Sequence, residues 1–160
     1  TAAVTDQTTI DDLDPIESTE AIVADFLAKG GKYSRPFMTL AAYDAMQGGL
    51  ATQPNSGEFA KGLPAHIYRT AIAIEMFHKA SLIHDDIEDD DKFRYGSRAL
   101  HTRFGTPIAI NLGDYLIGQG YRMVARESDS MGAAAVSDIL AQLSSAHMRL
   151  SEGQGAELAW

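Results

Sequence analysis

The sequence predicts an all-α protein, and two observations carry that prediction. Apolar residues recur at helical spacing along most of the chain, and the apolar-polar alternation that is typical of strands is absent from it. Glycine and proline divide these periodic stretches into successive helices. The chain has 160 residues, of which 45% are hydrophobic and 22% charged, so it is long enough for one domain with a buried core.

The composition excludes several classes of function. The chain has 13 basic and 22 acidic residues and a net charge of −9, which argues against nucleic acid as a partner. It has no cysteine, so disulfides, thiolate catalysis and cysteine-bound zinc are excluded. The acidic N-terminal stretch lacks the apolar segment of a signal peptide, and no apolar run reaches about 18 residues. We therefore expect a cytoplasmic protein that does not span a membrane.

The start of the chain predicts an arm and one short helix. Residues 1–16 are polar and acidic without periodicity, so we expect a loose N-terminal arm ahead of one domain over residues 17–160. Ser18 or Thr19 can cap a helix that extends to Leu27. The paired glycines that follow end this helix.

The next segment, GGKYSRP, is the first candidate binding site. It places Lys32 and Arg35 between a glycine turn and Pro36, and a proline suits the first turn of a helix. Glycine backbone, a helix N-terminus and two cations can together bind a diphosphate. The alternative is a solvated lysine and arginine beside a turn. A helix over residues 37–46 and a loop over residues 48–63 are predicted next.

A long central helix is predicted from Pro64 to about Ile87, and it ends in the acidic run HDDIEDDD. On a helix, Asp85 and Asp89 lie about 40° apart and Asp86 about 60° from Asp89, so three carboxylates share one face. The helix macrodipole disfavours acids at a C-terminal end, by up to about 1 kcal/mol each. A divalent cation would neutralise them, and carboxylate ligands favour Mg2+. The alternative is an ordinary solvated acidic helix end.

Two further features flank the acidic run. His78 lies about 20° from Asp85 around the helix axis, two turns earlier, although a lone histidine on such a helix is commonly a core residue. Lys92, Arg94 and Arg98 follow the run in a loop. This basic loop can hold phosphate oxygens near the carboxylates, or it can simply compensate their charge.

The last third of the chain predicts two more helices. One begins near Pro107 and has Asn111 and Asp114 as its candidate buried polar residues. The final helix starts at about Met131. The chain stops at Trp160 without a turn or cap, and we interpret this as an interruption.

Six segments together carry a resemblance to a known family. In chain order they are GGKYSRP, EMFHKASLIHDD, HDDIED, RYGSRALHTRFG, NLGDYLIGQG and SEGQGAELAW. Over residues 30–160 they resemble the N-terminal half of the trans-isoprenyl (polyprenyl) diphosphate synthases, including the first aspartate-rich motif. The pair DDxxD and GGKxxRP is specific to that family. The resemblance implies an all-α isoprenoid synthase fold, with helices around a central cavity, and we expect a homodimer.

The resemblance also implies a reaction. An allylic diphosphate ionises with the assistance of Mg2+, the double bond of isopentenyl diphosphate attacks the cation, and a longer trans-prenyl diphosphate forms. By this resemblance, Asp85, Asp86 and Asp89 would bind the metal ions, and Arg94 would contact the allylic diphosphate. Likewise, the residues that match the isopentenyl diphosphate site are Lys32, Arg35 and His78. Gln154 would line the allylic pocket.

The chain departs from the family in two respects. Most members have a second arginine, which helps to bind isopentenyl diphosphate, where this chain has Tyr95. Because Tyr95 carries no charge, we expect weaker binding or a substitute charge from Arg98. Family chains are also much longer, and their second aspartate-rich motif lies beyond position 160. We therefore expect that residues 1–160 alone are about half of a synthase and inactive.

Product length is expected to depend on three positions of the central helix. In the family, bulky aromatics at the fourth and fifth positions before the first aspartate stop chain growth at about fifteen carbons, and these positions here are Ser81 and Ala80. Both are small, and the next large side chain upstream is Phe77. Since one isoprene unit spans about one helical turn, we expect a product of about twenty carbons or longer.

Two other functions remain open. A class I terpene cyclase also uses an aspartate-rich helix, but it needs no isopentenyl diphosphate site, so Lys32, Arg35 and His78 argue against it. A non-catalytic partner subunit of a heteromeric synthase is the other alternative. Such a subunit would have no need of the three aspartates.

Overall fold

The computed structural model describes residues 14–49 and 62–160, which are mostly helical. The helices are α1 (Pro15–Ala28), α2 (Ser34–Met46), α3 (Ala65–Glu88), α4 (Leu100–Phe104), α5 (Thr106–Ala125), α6 (Ser128–Met131) and α7 (Ala133–Leu158). Two short strands, β1 (Phe93–Arg94) and β2 (Ser97–Arg98), follow α3. The all-α prediction is therefore confirmed with this small addition. Most of the predicted arm and of the predicted loop at residues 48–63 lie outside the described residues.

The strand pair corrects the expectation that the chain contains no strand. The strands are antiparallel, with Phe93 opposite Arg98 and Arg94 opposite Ser97. Tyr95 and Gly96 form the turn between them, with φ angles of 54° and 75°. A two-residue turn with positive φ at both positions is the geometry that closes a tight hairpin. Strands of two residues are too short to show alternation in the sequence.

Helix α1 begins earlier than predicted, and its cap is Asp14 instead of Ser18 or Thr19. The Asp14 side chain accepts a 2.9 Å hydrogen bond from the backbone N–H of Ile16. Pro15 occupies the start of the helix, where its missing N–H costs nothing. Residues 15 and 16 of the predicted arm therefore belong to this helix.

Helices α3 and α5 pack against each other at the centre of the fold. A Cβ atom added at Gly113 would lie 2.2 Å from Nε2 of His84, and one at Gly120 would lie 3.0 Å from the Phe77 ring, so both glycines permit the close approach. The main core joins α1, α3, α4 and α5 through buried residues, namely Ile22, Val23, Phe26, Ala80, Ile83, Leu100, Phe104, Ala109, Leu112 and Leu116. A second cluster ties α7 to the same pair through Ala73, Val124 and Val136.

The expectation that Asn111 and Asp114 are buried is wrong. Both are exposed, because the core-facing side of α5 is formed by other residues, namely Ala109, Leu112, Gly113, Leu116, Gly120 and Val124. Asn111 and Asp114 lie on the opposite side of the helical wheel and face outward.

Membrane crossing needs a helix that is both long and strongly apolar. None of the helices in residues 14–49 and 62–160 meets that requirement.

Candidate active site

A cavity of about 580 Å3 lies between α3 and α7, a volume typical of small-molecule sites. Arg35 of α2 and Ile117 of α5 also line it. Its α3 wall consists of residues at helical spacing, namely Ile74, Phe77, His78, Ser81, His84, Asp85 and Glu88. Its α7 wall is largely apolar and includes Leu143, Ala146, Leu150 and Leu158. The cavity is therefore a space between two helices whose polar residues cluster near the C-terminal end of α3.

At the polar end of the cavity, a hydrogen bond joins α3 and α7. The side-chain amide of Gln154 donates a 2.7 Å hydrogen bond to Oε2 of Glu88. Gln154 lines the cavity, together with Asp85 one turn before Glu88. The glutamine that was expected to line a pocket thus lies beside the acidic end of α3.

The three aspartates of the motif differ in their surroundings. Asp85 lines the cavity, and burial raises its pKa, with further increases from the nearby carboxylates of Glu88 and Asp89. Asp86 is 1% exposed and does not line the cavity. Asp89 is exposed and caps the C-terminus of α3. Asp85 and Asp89 therefore share one face as expected. Asp86 does not share it, because its side chain points into the protein.

Arg94 accounts for the burial of Asp86. Its Nε atom donates a 2.7 Å hydrogen bond to Oδ1 of Asp86, and its Nη2 atom bonds the same oxygen. Nη2 also lies 3.3 Å from Oδ2 of Asp91. The hydrogen bond to Asp86 raises the pKa of Arg94, so the guanidinium stays charged. The Arg94 side chain is thus bonded to two aspartates of the acidic run and is not among the side chains that line the cavity.

The predicted cations gather around His78. Burial lowers the pKa of His78, and the positive charges of Arg35, Lys79 and Arg94 lower it further. Arg35 and His78 both line the cavity. Lys32 is exposed and does not line it. The structure therefore brings Arg35 and Arg94 close to His78, whereas the Lys32 side chain does not line the cavity.

The acidic end of α3 offers carboxylate ligands for Mg2+. In residues 14–49 and 62–160, no three histidine or carboxylate side chains are arranged to share one metal ion. Mg2+ commonly keeps several waters and uses only one or two protein carboxylates, with phosphates as further ligands. Asp85 lines the cavity, and Glu88 and Asp89 follow it by three and four residues, so their carboxylates neighbour it on the helix. These carboxylates fit a hydrated Mg2+ ion that is bound by one or two of them.

The three positions expected to limit product length do not share one surface. Ser81 and Phe77 line the cavity, whereas Ala80 is wholly buried in the main core. The Phe77 ring packs edge-on against Tyr121, with centroids 4.7 Å apart. His147 lies beside both rings and bonds the Tyr121 hydroxyl at 3.3 Å. Phe77 and His147 line the cavity about two turns from Asp85 along α3.

Several cavity residues were not identified from the sequence. His84 lies three residues after Ser81 on α3, and Glu88 lies three residues after Asp85, so helical spacing could have found them. His147 precedes Gln154 by seven residues and therefore shares its face of α7. His84 also contacts α5, where its Nε2 atom lies 3.7 Å from the Asp114 carboxylate.

Comparison with known proteins gives a consistent set of relatives. The family profile described as Polyprenyl synthetase matches residues 16–160. The chain is 34% identical over 134 residues to the short chain isoprenyl diphosphate synthase of Methanothermobacter thermautotrophicus, an alignment that covers 84% of this chain and 36% of that protein. It is 33% identical over 127 residues to the nonaprenyl diphosphate synthase of Mycobacterium tuberculosis, covering 78% of this chain and 33% of that protein.

The solved structures agree with the sequence relatives. The geranylgeranyl pyrophosphate synthetase from the archaeon Geoglobus acetivorans superposes with a TM-score of 0.73 at 27% identity, covering 94% of this chain and 44% of that chain. The chain thus has the isoprenoid synthase fold and spans less than half the length of each of these three relatives. Because the family profile extends over nearly all of it, the chain belongs to the polyprenyl synthetase family of trans-isoprenyl diphosphate synthases.

Proposed function

We propose that the complete protein is a prenyltransferase that condenses an allylic diphosphate with isopentenyl diphosphate into a longer trans-prenyl diphosphate. The observation that carries this proposal is the cavity, which has several leucine side chains along α7 and the carboxylate of Asp85 on α3, with Arg35 and His78 beside it. An allylic diphosphate has the same division into an apolar tail and a charged head. The similar proteins named as short chain isoprenyl and nonaprenyl diphosphate synthases support the assignment.

The acidic end of α3 is the proposed site for the allylic diphosphate. Asp85 and Asp89 would hold Mg2+ directly, and Asp86 would complete the motif while it orients Arg94. When bound, Mg2+ supplies positive charge that stabilises the departing diphosphate. The guanidinium of Arg94, which is held by Asp86 outside the cavity lining, would add positive charge near the same oxygens. Gln154, bonded to Glu88, would lie beside the allylic substrate.

The GGKYSRP segment is the proposed site for isopentenyl diphosphate. Arg35 and His78 line the cavity near Asp85, and Lys32 lies three residues before Arg35 on the exposed side. The low pKa of His78 keeps its imidazole neutral at pH 7, so its ring can donate one hydrogen bond to a phosphate oxygen. Lys32 and Arg35 would provide the charge.

The proposed product has about twenty carbons or more. Ser81 is small and lines the cavity, so a prenyl tail can pass it on the way from Asp85 to Phe77. Phe77 lies four positions, about one helical turn, beyond Ser81, which leaves room for about one more isoprene unit than a bulky aromatic at Ser81 would leave. Phe77, supported by Tyr121, is the proposed floor.

The proposal is tested by incubating the complete protein with Mg2+, isopentenyl diphosphate and allylic diphosphates of increasing length. Chromatography of the products before and after phosphatase treatment shows whether they retain the diphosphate. We expect elongated diphosphates whose formation stops when the metal is chelated. A hydrocarbon formed without isopentenyl diphosphate would indicate a terpene cyclase, and no product from any substrate pair would refute the proposed activity.

A further inference from the structure

Lys79 is a buried cation that the proposed reaction does not use. It lies in the middle of α3, directly after His78, and its relative exposure is 0%. Lysine is almost never fully buried unless its ammonium has partners. Its Nζ atom donates a 2.6 Å hydrogen bond to the backbone carbonyl of Lys29 and a 3.2 Å hydrogen bond to that of Gly30. Both acceptors lie just beyond the C-terminus of α1.

Two aromatic rings complete the surroundings of this ammonium. Nζ lies 3.9 Å from the centroid of the Tyr95 ring and 5.4 Å from that of Phe26. Cation–π contacts at these distances are favourable, especially where water is excluded. We call the carbonyl oxygens of Lys29 and Gly30 and the rings of Phe26 and Tyr95 the ammonium pocket.

Gly30 is required for the ammonium pocket to form. Its φ angle is +57°, and an added Cβ atom would lie 2.1 Å from the Tyr95 ring. Any other residue would push the tyrosine away from the ammonium. Tyr95 itself adopts a φ angle of 54° in the hairpin turn. The end of α1, the hairpin and the middle of α3 are therefore joined at one point.

The backbone that leaves the ammonium pocket is the GGKYSRP segment. A Cβ atom added at Gly31 would lie 3.9 Å from Lys79 Nζ, from the Tyr95 hydroxyl and from Oε1 of the buried Glu75, so this residue also lies against the pocket, and Glu75 brings a carboxylate to the same place. Lys32 follows directly, and Arg35 reaches the cavity from the first turn of α2. The ammonium pocket therefore anchors the start of the segment that carries both cations.

We infer that Lys79 and Tyr95 are positioning residues that hold the GGKYSRP segment in its binding geometry and thereby set the affinity for isopentenyl diphosphate. The inference rests on the proposed function, because it assigns that substrate to the segment. It explains how the chain accommodates an uncharged Tyr95: the aromatic ring holds the lysine that anchors the segment. Neither side chain contacts the substrate in this assignment.

The kinetic test uses steady-state measurements on the complete protein. Lys79→Met keeps the length of the side chain and removes the charge, and we expect the KM for isopentenyl diphosphate to rise about tenfold. The kcat and the KM for the allylic diphosphate should change less than about twofold. Tyr95→Leu should have the same effect as Lys79→Met, whereas Tyr95→Phe, which keeps the ring, should behave as wild type. Lys79→Met and Tyr95→Leu disrupt the same pocket. The KM of the double variant for isopentenyl diphosphate should therefore be no higher than that of the single variant with the larger increase.

Val124→Ala is the matched control for a merely structural effect. Val124 is a wholly buried residue of α5 in the second core cluster, which includes neither Phe26 nor Tyr95, and its truncation lowers stability. It should lower the melting temperature without raising the KM for isopentenyl diphosphate selectively. If Lys79→Met fails to fold, Tyr95→Leu serves as the test of the inference. Tyr95 is only half-buried, so its substitution should disturb folding less.

Amide hydrogen exchange supplies a readout that needs no activity. In Lys79→Met and Tyr95→Leu, we expect the amides of residues 29–35 to exchange at least about tenfold faster than in wild type, and Val124→Ala should leave their rates unchanged. Unchanged exchange together with an unchanged KM would overturn the inference. An equal rise in the KM of both substrates would also overturn it. A wild-type protein that forms no product would refute the proposed function instead, and the exchange rates would still decide whether Lys79 and Tyr95 anchor the segment.

Discussion

Arg94 donates hydrogen bonds from Nε and Nη2 to one oxygen of the wholly buried Asp86. This pair joins the end of α3 to the strand hairpin that follows it. Since a buried carboxylate without a partner is costly, the pair is expected to matter for stability as well as for the proposed chemistry.

The first prediction concerns this pair. Arg94→Leu leaves the Asp86 charge buried without its partner, and we expect a loss of about 1–3 kcal/mol in the free energy of unfolding. Asp86→Asn removes the charge itself but keeps an oxygen that can accept the Arg94 hydrogen bonds, so it should cost less. Urea unfolding of the complete protein measures both. If the two variants lose equal stability, the buried charge is not what Arg94 compensates.

The second prediction concerns the cavity-facing aspartate. Asp85→Ala should lower kcat at least about 100-fold, because the lost carboxylate would act on the leaving diphosphate in the transition state. Glu152→Gln is a suitable control, since Glu152 is an exposed acid of α7 outside the cavity lining. Turnover close to that of wild type in Asp85→Ala would remove this residue from the proposed site.

The third prediction concerns product length. Ser81→Phe places a ring in the cavity above the floor, so its products should be shorter than those of wild type. Phe77→Ala opens the floor beside Tyr121, so its products should be longer. Ile72→Phe adds the same ring at an exposed position of α3 and should leave the length distribution unchanged. Chromatography of the dephosphorylated products measures all three, and unchanged lengths in both cavity variants would show that the floor lies elsewhere.

The fourth prediction concerns acid stability. Hydrogen bonds from Arg69 and Ser130 lower the pKa of Glu127 from 4.5 to about 2. A carboxylate with a depressed folded-state pKa stabilises the protein above its unfolded pKa, and this stabilisation is lost as the pH falls through the folded value. The Glu127 contribution should therefore be complete above about pH 5 and disappear between about pH 4.5 and pH 2.

Arg69→Met tests this assignment, because it removes the largest cause of the Glu127 shift. Its stability relative to wild type is measured by urea unfolding from pH 6 downward. The loss in the free energy of unfolding of Arg69→Met relative to wild type should become smaller as the pH falls through the range in which Glu127 titrates. A deficit that stays constant with pH would mean that Glu127 does not titrate in this range.

The position of the cavity wall on α3 could be predicted from the sequence. Phe77, Ser81 and Asp85 are spaced by four residues, and such positions are neighbours on any α-helix, whatever packs against it. The start of α3 after Pro64 and of α5 near Pro107 followed from local backbone preferences in the same way. These features depend only on short-range geometry, which the order of residues contains.

The direction in which Asp86, Ala80 and Lys79 point was decided by the tertiary structure. All three lie close to the cavity residues in sequence, but Ala80 enters the core shared with α1, and Asp86 meets Arg94 of the hairpin. Burial of Lys79 is the clearest case, because composition alone places a lysine in water. Its burial is stable because the ammonium has partners there. These are two backbone carbonyls from the end of α1 and the Tyr95 ring from the hairpin. The helical period determines which residues share a face, whereas long-range packing determines what each face meets.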